Sequence, residues 1–291
     1  MRSQPAVLAD VPSHASFVFL QLRHGHDPVA GAGQLAQAVH PDHLLVGLGS
    51  SLLGALGCTI PGMRPLPALS GSGIAIPTTP SDLLLRISGD DPGEVLHRER
   101  EIQARLPAFE VSDQVCAFMY GPSRDLSGYE DGTENPTGAQ ALAVAIQSSG
   151  GPGLEGSSVV AVQRWVHDLG TLGAMDQGQQ DAIVGRSRET NEELGDAPET
   201  AHIRRTAQED FEPEAFLVRR SMPWRDRRGA GLMFVSFSAT LDPFEAQLRR
   251  MVGLDDGLVD ALFTFTRPVS GGTWWCPPLG DDRLELRACL P

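Results

Sequence analysis

Gly231-Leu232-Met233-Phe234-Val235-Ser236-Phe237-Ser238 is an alternating, aromatic-rich run, and it predicts a strand. Thr240-Leu241-Asp242-Pro243-Phe244-Glu245 follows at once and opens a helix, with Asp242 as the expected N-cap, Pro243 at the first helical position and Glu245 reaching back. The helix runs to Met251-Val252, where Gly253 ends it. Upstream, Val159 to Val166 predicts another strand and residues 173–184 another helix.

The first half has a similar pattern. Phe17 to Leu22 is an expected strand after a Pro- and Ser-containing tail over residues 1–15, and Pro28 to Val39 reads as a helix. The apolar run Leu44 to Leu53 is strand-like at its start despite its glycines, and residues 61–81, rich in Pro, Gly and Ser, predict a long loop. Leu83 to Ile87 is a further strand, Pro92 to Leu106 a charged helix with Pro near its first turn, and Val111 to Met119 a strand. That order, β-α-β-β-α-β, is the order of a ferredoxin-like unit. With a Gly/Ser-rich linker near 149–158, the chain divides into halves 1–148 and 149–291. The expected class is α+β, two ferredoxin-like units with antiparallel sheets and helices on one face of each.

Composition excludes several functions. With 291 residues and 41% hydrophobic content the chain can bury a large core, while a formal charge of −14 argues against binding nucleic acid or an anionic membrane. All 23 basic residues are arginine, so neither a lysine Schiff base nor a Walker-type phosphate loop is possible. The four cysteines, Cys58, Cys116, Cys276 and Cys289, form no CxxC pair and no zinc site. Met1 to Leu22 lacks the pattern of a signal peptide, and no apolar run is long enough to span a bilayer; the expectation is a cytoplasmic protein with reduced thiols.

Towards the end of the first half lies Gly128-Tyr129-Glu130-Asp131-Gly132-Thr133-Glu134-Asn135-Pro136, a loop in which two glycines bracket a carboxylate and Asn-Pro stops any helix. Downstream come Val184-Gly185-Arg186, Ala201-His202-Ile203-Arg204-Arg205, Val218-Arg219-Arg220-Ser221-Met222-Pro223-Trp224 and Arg267-Pro268-Val269-Ser270-Gly271-Gly272. This order resembles the dye-decolourising (DyP-type) haem peroxidases, most closely their compact B-type branch, from about residue 10 to about residue 279. The loop matches the family's GxxDG signature.

The resemblance implies haem b (iron protoporphyrin IX) and a peroxidase that uses hydrogen peroxide to oxidise phenolic or dye-like donors through a ferryl intermediate. A homo-oligomer is the expected assembly, and the acidic charge leaves no nucleic-acid or membrane partner. Haem iron release, porphyrinogen oxidation and a non-catalytic haem carrier are the alternatives. His202 falls where the family has its proximal iron ligand and Arg219 where it has its distal arginine. Asp131 pairs with Arg219, a carboxylate to move the proton of peroxide and a fixed charge to stabilise the departing oxygen.

Arg186 resembles the family's arginine near a haem propionate, and Gly132, Asn135, Arg219 and Ser221 complete the expected cofactor contacts. Asp260 is the candidate carboxylate behind His202. Ser221 departs from the B-type pattern, where asparagine is common, and its smaller side chain leaves space for water. Gly185-Arg186-Ser187-Arg188 replaces a more usual lysine-containing run. Tyr129, Trp165, Trp274 and Trp275 are candidates to carry oxidising equivalents outward, although buried packing is the commoner use of such residues.

Overall fold

In the computed structural model, which describes residues 1–38, 43–281 and 283–290, the first half runs β1 (His14–Leu22), α1 (Pro28–Ala38), β2 (Leu44–Gly49), α2 (Ser50–Ala55), β3 (Leu69–Gly71), β4 (Ile74–Ile76), β5 (Leu83–Gly89), α3 (Pro92–Ala104), β6 (Phe109–Phe118) and α4 (Gly138–Ala145). The second half contains β7 (Ser158–His167), α5 (Leu169–Gly173), α6 (Gln177–Val184), α7 (His202–Arg205), β8 (Val218–Arg219), β9 (Met222–Asp226), β10 (Gly229–Ser238), α8 (Asp242–Met251), β11 (Thr266–Cys276), β12 (Leu279–Gly280) and β13 (Arg283–Leu284). Val39, the expected end of α1, lies outside the described residues.

Nine strands form one antiparallel sheet in the order β7-β11-β2-β5-β1-β6-β9-β10-β8, and β7 also pairs with β10, so the sheet closes on itself. The α+β class with antiparallel sheets is therefore as expected, and strands from either side of residue 148 share one barrel. Closure leaves few open edges on the ring.

Alternation along each strand separates an inner from an outer apolar layer. Phe17, Leu45, Leu84, Trp224, Phe237 and Trp274 fill one core, while Val18, Leu20, Leu44 and Val46 face outward with Leu35 of α1 and Val95 of α3 in another. The glycines of β2 have a steric cause, because a Cβ on Gly47 would lie 2.6 Å from the Cβ of Trp274.

Several expectations need correction. The first residues are not a tail: Gln4 is buried, its Nε2 donates to Val46 O at 2.9 Å and to Pro277 O at 2.9 Å, and its Oε1 accepts from Val46 N at 2.8 Å. Three buried hydrogen bonds, each worth about 0.5–1.5 kcal/mol, hold this segment down. The loop over 61–81 contains the β3–β4 hairpin, and α4 was not expected at all. The helix over 173–184 starts later, because Asp176 and Gln179 form a capping box that begins α6 at Gln177.

Asp242 is not the cap of α8; the N-cap is Leu241, and Arg64 takes both Asp242 and Glu245 in ion pairs. A tertiary cation competed successfully for the carboxylates that local rules assigned to the backbone. The thiols also differ from expectation: Cys58 and Cys289, 231 residues apart in sequence, form a disulfide with Cα atoms 5.0 Å apart, while Cys116 and Cys276 are free. Sequence spacing carries no information about such a contact. Among the described residues, no helix is long and apolar enough to cross a membrane.

Candidate functional site

The inner-facing and outer-facing alternation of β7 sends Gln163, Trp165 and His167 to one side, and there they line a cleft of about 870 Å³ including its open mouth. Apolar side chains of β10 and α8, among them Leu232, Phe234, Phe244, Leu248 and Met251, supply much of the wall. Asp131, His202 and Arg219 reach the same cleft from three separate segments. An annex that shares Asp131, His202, Arg219 and Gln247 with the cleft adds Arg186, Glu134 and Glu193.

Asp131 sits on the loop between β6 and α4. Gly132 adopts φ +84°, and a Cβ there would lie 2.6 Å from Asn135 Nδ2, so glycine both permits the turn and lets Asn135 fold back. Asn135 then acts as a surrogate strand: its Oδ1 accepts from Arg219 N at 2.7 Å and its Nδ2 donates to Arg219 O at 3.0 Å. One side-chain amide thus ties the acidic loop to β8. Asp131 Oδ1 and Arg219 Nη1 stand 3.7 Å apart, both side chains about four-fifths buried. That separation exceeds a hydrogen bond, so the pair attract without being locked together.

His202 opens α7, and its Nδ1 lies 2.7 Å from Asp260 Oδ2. Asp260 is fully buried, and its other oxygen accepts from Leu262 N at 2.8 Å. A carboxylate can only accept, so Nδ1 is the donor of this pair, and Nε2, which holds the lone pair in the neutral ring, has no hydrogen-bond partner among the described residues. This geometry suits a ligand to a metal.

Arg186 is differently placed. Its Nη2 contacts Glu134 and Glu193, each at 2.6 Å, and its Nη1 donates to Asn191 O at 2.9 Å. Ser221 is buried and lines neither cavity; at the break between β8 and β9 its hydroxyl accepts from Val235 N at 3.4 Å. Tyr129 and Trp165 line the cleft, whereas Trp275 lies fully buried in the outer core. Burial and the neighbouring Asp181 push the Tyr129 phenol well above its ordinary value.

Sequence reasoning missed a second histidine–carboxylate pair in the cleft wall. His167 Nε2 is 2.8 Å from Asp125 Oδ1, and its Nδ1 is 2.6 Å from Thr266 Oγ1. Burial raises the Asp125 pKa, but His167 and the Ser127 hydroxyl and amide outweigh it, so the carboxyl stays below its usual range. The period of β7 was the available signal, because residues 163, 165 and 167 share a face.

A family profile described as "Dyp-type peroxidase, C-terminal" matches residues 122–281. The chain is 32% identical over 229 residues to the dye-decolorizing peroxidase of Mycolicibacterium paratuberculosis, covering 76% of this chain and 65% of that one, so it spans just under two thirds of that relative's length. It is 30% identical over 236 residues to the dye-decolorizing peroxidase of Mycobacterium tuberculosis, covering 79% and 70%. A variant of Rhodococcus jostii RHA1 DypB in complex with heme superposes with a TM-score of 0.84 at 26% identity, over 94% of this chain and 95% of the other.

Proposed function

The chain belongs to the Dyp-type peroxidase family, and on that premise we propose that it is a haem-dependent peroxidase in which residues 149–291 supply the iron ligand and the loop at 128–136 supplies the acid. The single observation carrying this reading is the unpartnered Nε2 of His202, backed by a buried Asp260 and set in a cleft that also holds the unlocked Asp131–Arg219 pair. The donor set fits haem b: one imidazole nitrogen without a hydrogen-bond partner among the described residues, largely apolar walls for a macrocycle, and a polar annex holding Arg186 for its carboxylates.

His202 would hold the iron through Nε2, and Asp260 would fix the ring and strengthen it as a donor. When bound, haem supplies the redox centre that takes two oxidising equivalents from peroxide and returns them one electron at a time to donors. Asp131 accepts a proton from one peroxide oxygen and delivers it to the other, so that water leaves. Arg219 balances the negative charge that grows on the departing oxygen as the O–O bond breaks. Asn135 keeps the two groups in register by joining their backbones. Arg186, now paired with Glu134 and Glu193, would hold a haem carboxylate at the annex by exchanging one of those partners. The donors are small phenolic or dye-like aromatics.

Absorption spectra of the purified protein before and after an equimolar addition of peroxide test the reading. A Soret band that shifts to a new, donor-reducible spectrum is expected. Simple bleaching, without turnover of a phenolic donor, would make the chain a haem carrier instead.

A further inference from the structure

Strand β7 serves a cavity on each of its faces. Gln163, Trp165 and His167 point to the cleft described above, while the alternate residues Val162 and Arg164 line a second cavity of about 850 Å³ including its mouth. Two register breaks frame it, one in the β1–β6 pairing between Phe19 and Leu20 and one in the β11–β7 pairing between Pro268 and Ser270. Such bulges splay neighbouring strands and open space between them.

The second cavity has one aromatic wall and one cationic end. Phe19 and Trp274 have ring centroids 5.6 Å apart, and the indole N–H of Trp274 is already given to Ser81, so this wall offers ring faces and edges rather than a donor. Of the charged groups lining the cavity, two are guanidiniums, Arg164 and Arg228, and one is a carboxylate, Asp113. Asp113 is fully used: Oδ2 accepts from Arg164 Nη1 at 3.0 Å and Oδ1 from Arg228 Nη1 at 2.6 Å. Arg228 is further satisfied outside the lining by Asp226 at 2.7 Å and Gln114 O at 2.9 Å.

Arg164 is not satisfied. Its Nε is buried with no hydrogen-bond partner among the described residues, while its guanidinium carbon lies 5.6 Å from the ring centroid of Trp224. A buried unpaired donor costs roughly 1–3 kcal/mol, more when it belongs to a charged group. Nε is closed off from the cavity, but Nη2 also has no hydrogen-bond partner among the described residues and is not sealed in, so an incoming acceptor meets the guanidinium there, and a guanidinium prefers a carboxylate.

We propose that this second cavity binds a small aromatic carboxylate, its ring against Phe19 and Trp274 and its carboxylate on Arg164. The site does not depend on the haem reading of the first cleft, which lies across β7. A phenol or alcohol would use the ring wall and forgo the charge; inorganic phosphate would use the charge and forgo the wall.

Calorimetric titration of the full-length protein as purified, with benzoate, benzyl alcohol and inorganic phosphate as probes, tests the proposal. Benzoate should bind saturably and more tightly than either other probe, without moving any Soret band. Ser112 is an exposed residue of the cavity rim, so Ser112→Phe should fold normally and weaken benzoate about tenfold or more by filling the mouth. Arg164→Gln should weaken benzoate by about 10- to 100-fold, the equivalent of one charge-assisted hydrogen bond, and leave benzyl alcohol unchanged. Absence of benzoate binding to the wild type, equal binding of phosphate, or benzoate affinity unaltered by Ser112→Phe would each overturn the proposal. A benzoate-induced Soret shift would place the ligand in the first cleft and overturn it equally.

Discussion

Two histidine–carboxylate pairs line one cleft, and they differ in what is left over. His202 spends Nδ1 on Asp260 and keeps Nε2 free, with its side chain 23% exposed; His167 spends Nε2 on Asp125 and Nδ1 on Thr266, with its side chain 4% exposed. Closely similar distances to a carboxylate, 2.7 Å and 2.8 Å, therefore accompany opposite capacities. One ring retains a lone pair for a metal, and the other is a strut between β7, β11 and the loop that carries Asp131. The arginines repeat the contrast: Arg219 faces Asp131 across 3.7 Å, whereas Arg186 is held by two carboxylates and a carbonyl.

The largest expected effect would break the contrast outright if it failed. His202→Ala should abolish stable haem retention, read as loss of the Soret band on purification, while His167→Ala should keep the band. A His167→Ala protein without haem, beside a His202→Ala protein with a normal axial-histidine spectrum, would exchange the two roles.

Next in size is the unlocked charge. Arg219→Leu should slow peroxide activation by about 10²–10³, and by more than Asp131→Ala does at neutral pH. A water in the open cleft can carry the proton of a missing carboxylate, but no water supplies a permanent positive charge. Stopped-flow rates for both variants at full haem occupancy check this, and a slower Asp131→Ala would mean that direct transfer by the carboxylate dominates. Arg186→Ala, by contrast, should weaken haem retention more than it slows the haem-bound fraction; full occupancy with slow chemistry would move Arg186 to the reacting side.

A smaller effect is expected behind His202. Asp260→Asn should lower haem affinity by about 10- to 100-fold, as loss of a carboxylate behind a metal-bound histidine does. Apo-protein titration with hemin gives the value, and an unchanged affinity would reduce Asp260 to the cap of its own turn.

The smallest effect concerns the strut. Asp125 has its pKa lowered in the fold, so its contribution to stability is complete above the unfolded value of about 3.9 and is lost as pH falls through the lower folded value. Asp125→Asn should therefore cost about 1–3 kcal/mol at neutral pH, with the gap to wild type closing on acidification below about pH 4. Denaturant unfolding at several pH values measures the gap. A gap that widens in acid would show that the carboxylate is not held ionised.

The sequence by itself determined whatever depends on neighbours along the chain. The strand period of 231–238, the glycines of the acidic loop, the Pro-led starts of α1 and α3 and the order of motifs from Asp131 to Arg219 were all legible, because φ preferences and side-chain alternation act over a few residues. Only the tertiary structure decided which groups would be spent and which left free. Arg64 took Asp242 and Glu245 from the expected cap, Gln4 bound a strand 42 residues away, and Cys58 found Cys289 across 231 residues. The same holds for the two histidines: the chain presents both as isolated imidazoles, and closing the barrel gives one of them two partners and the other a single one. Hydrogen-bond capacity is fixed by residue type, but its allocation is fixed by distances that arise only when distant segments share a core.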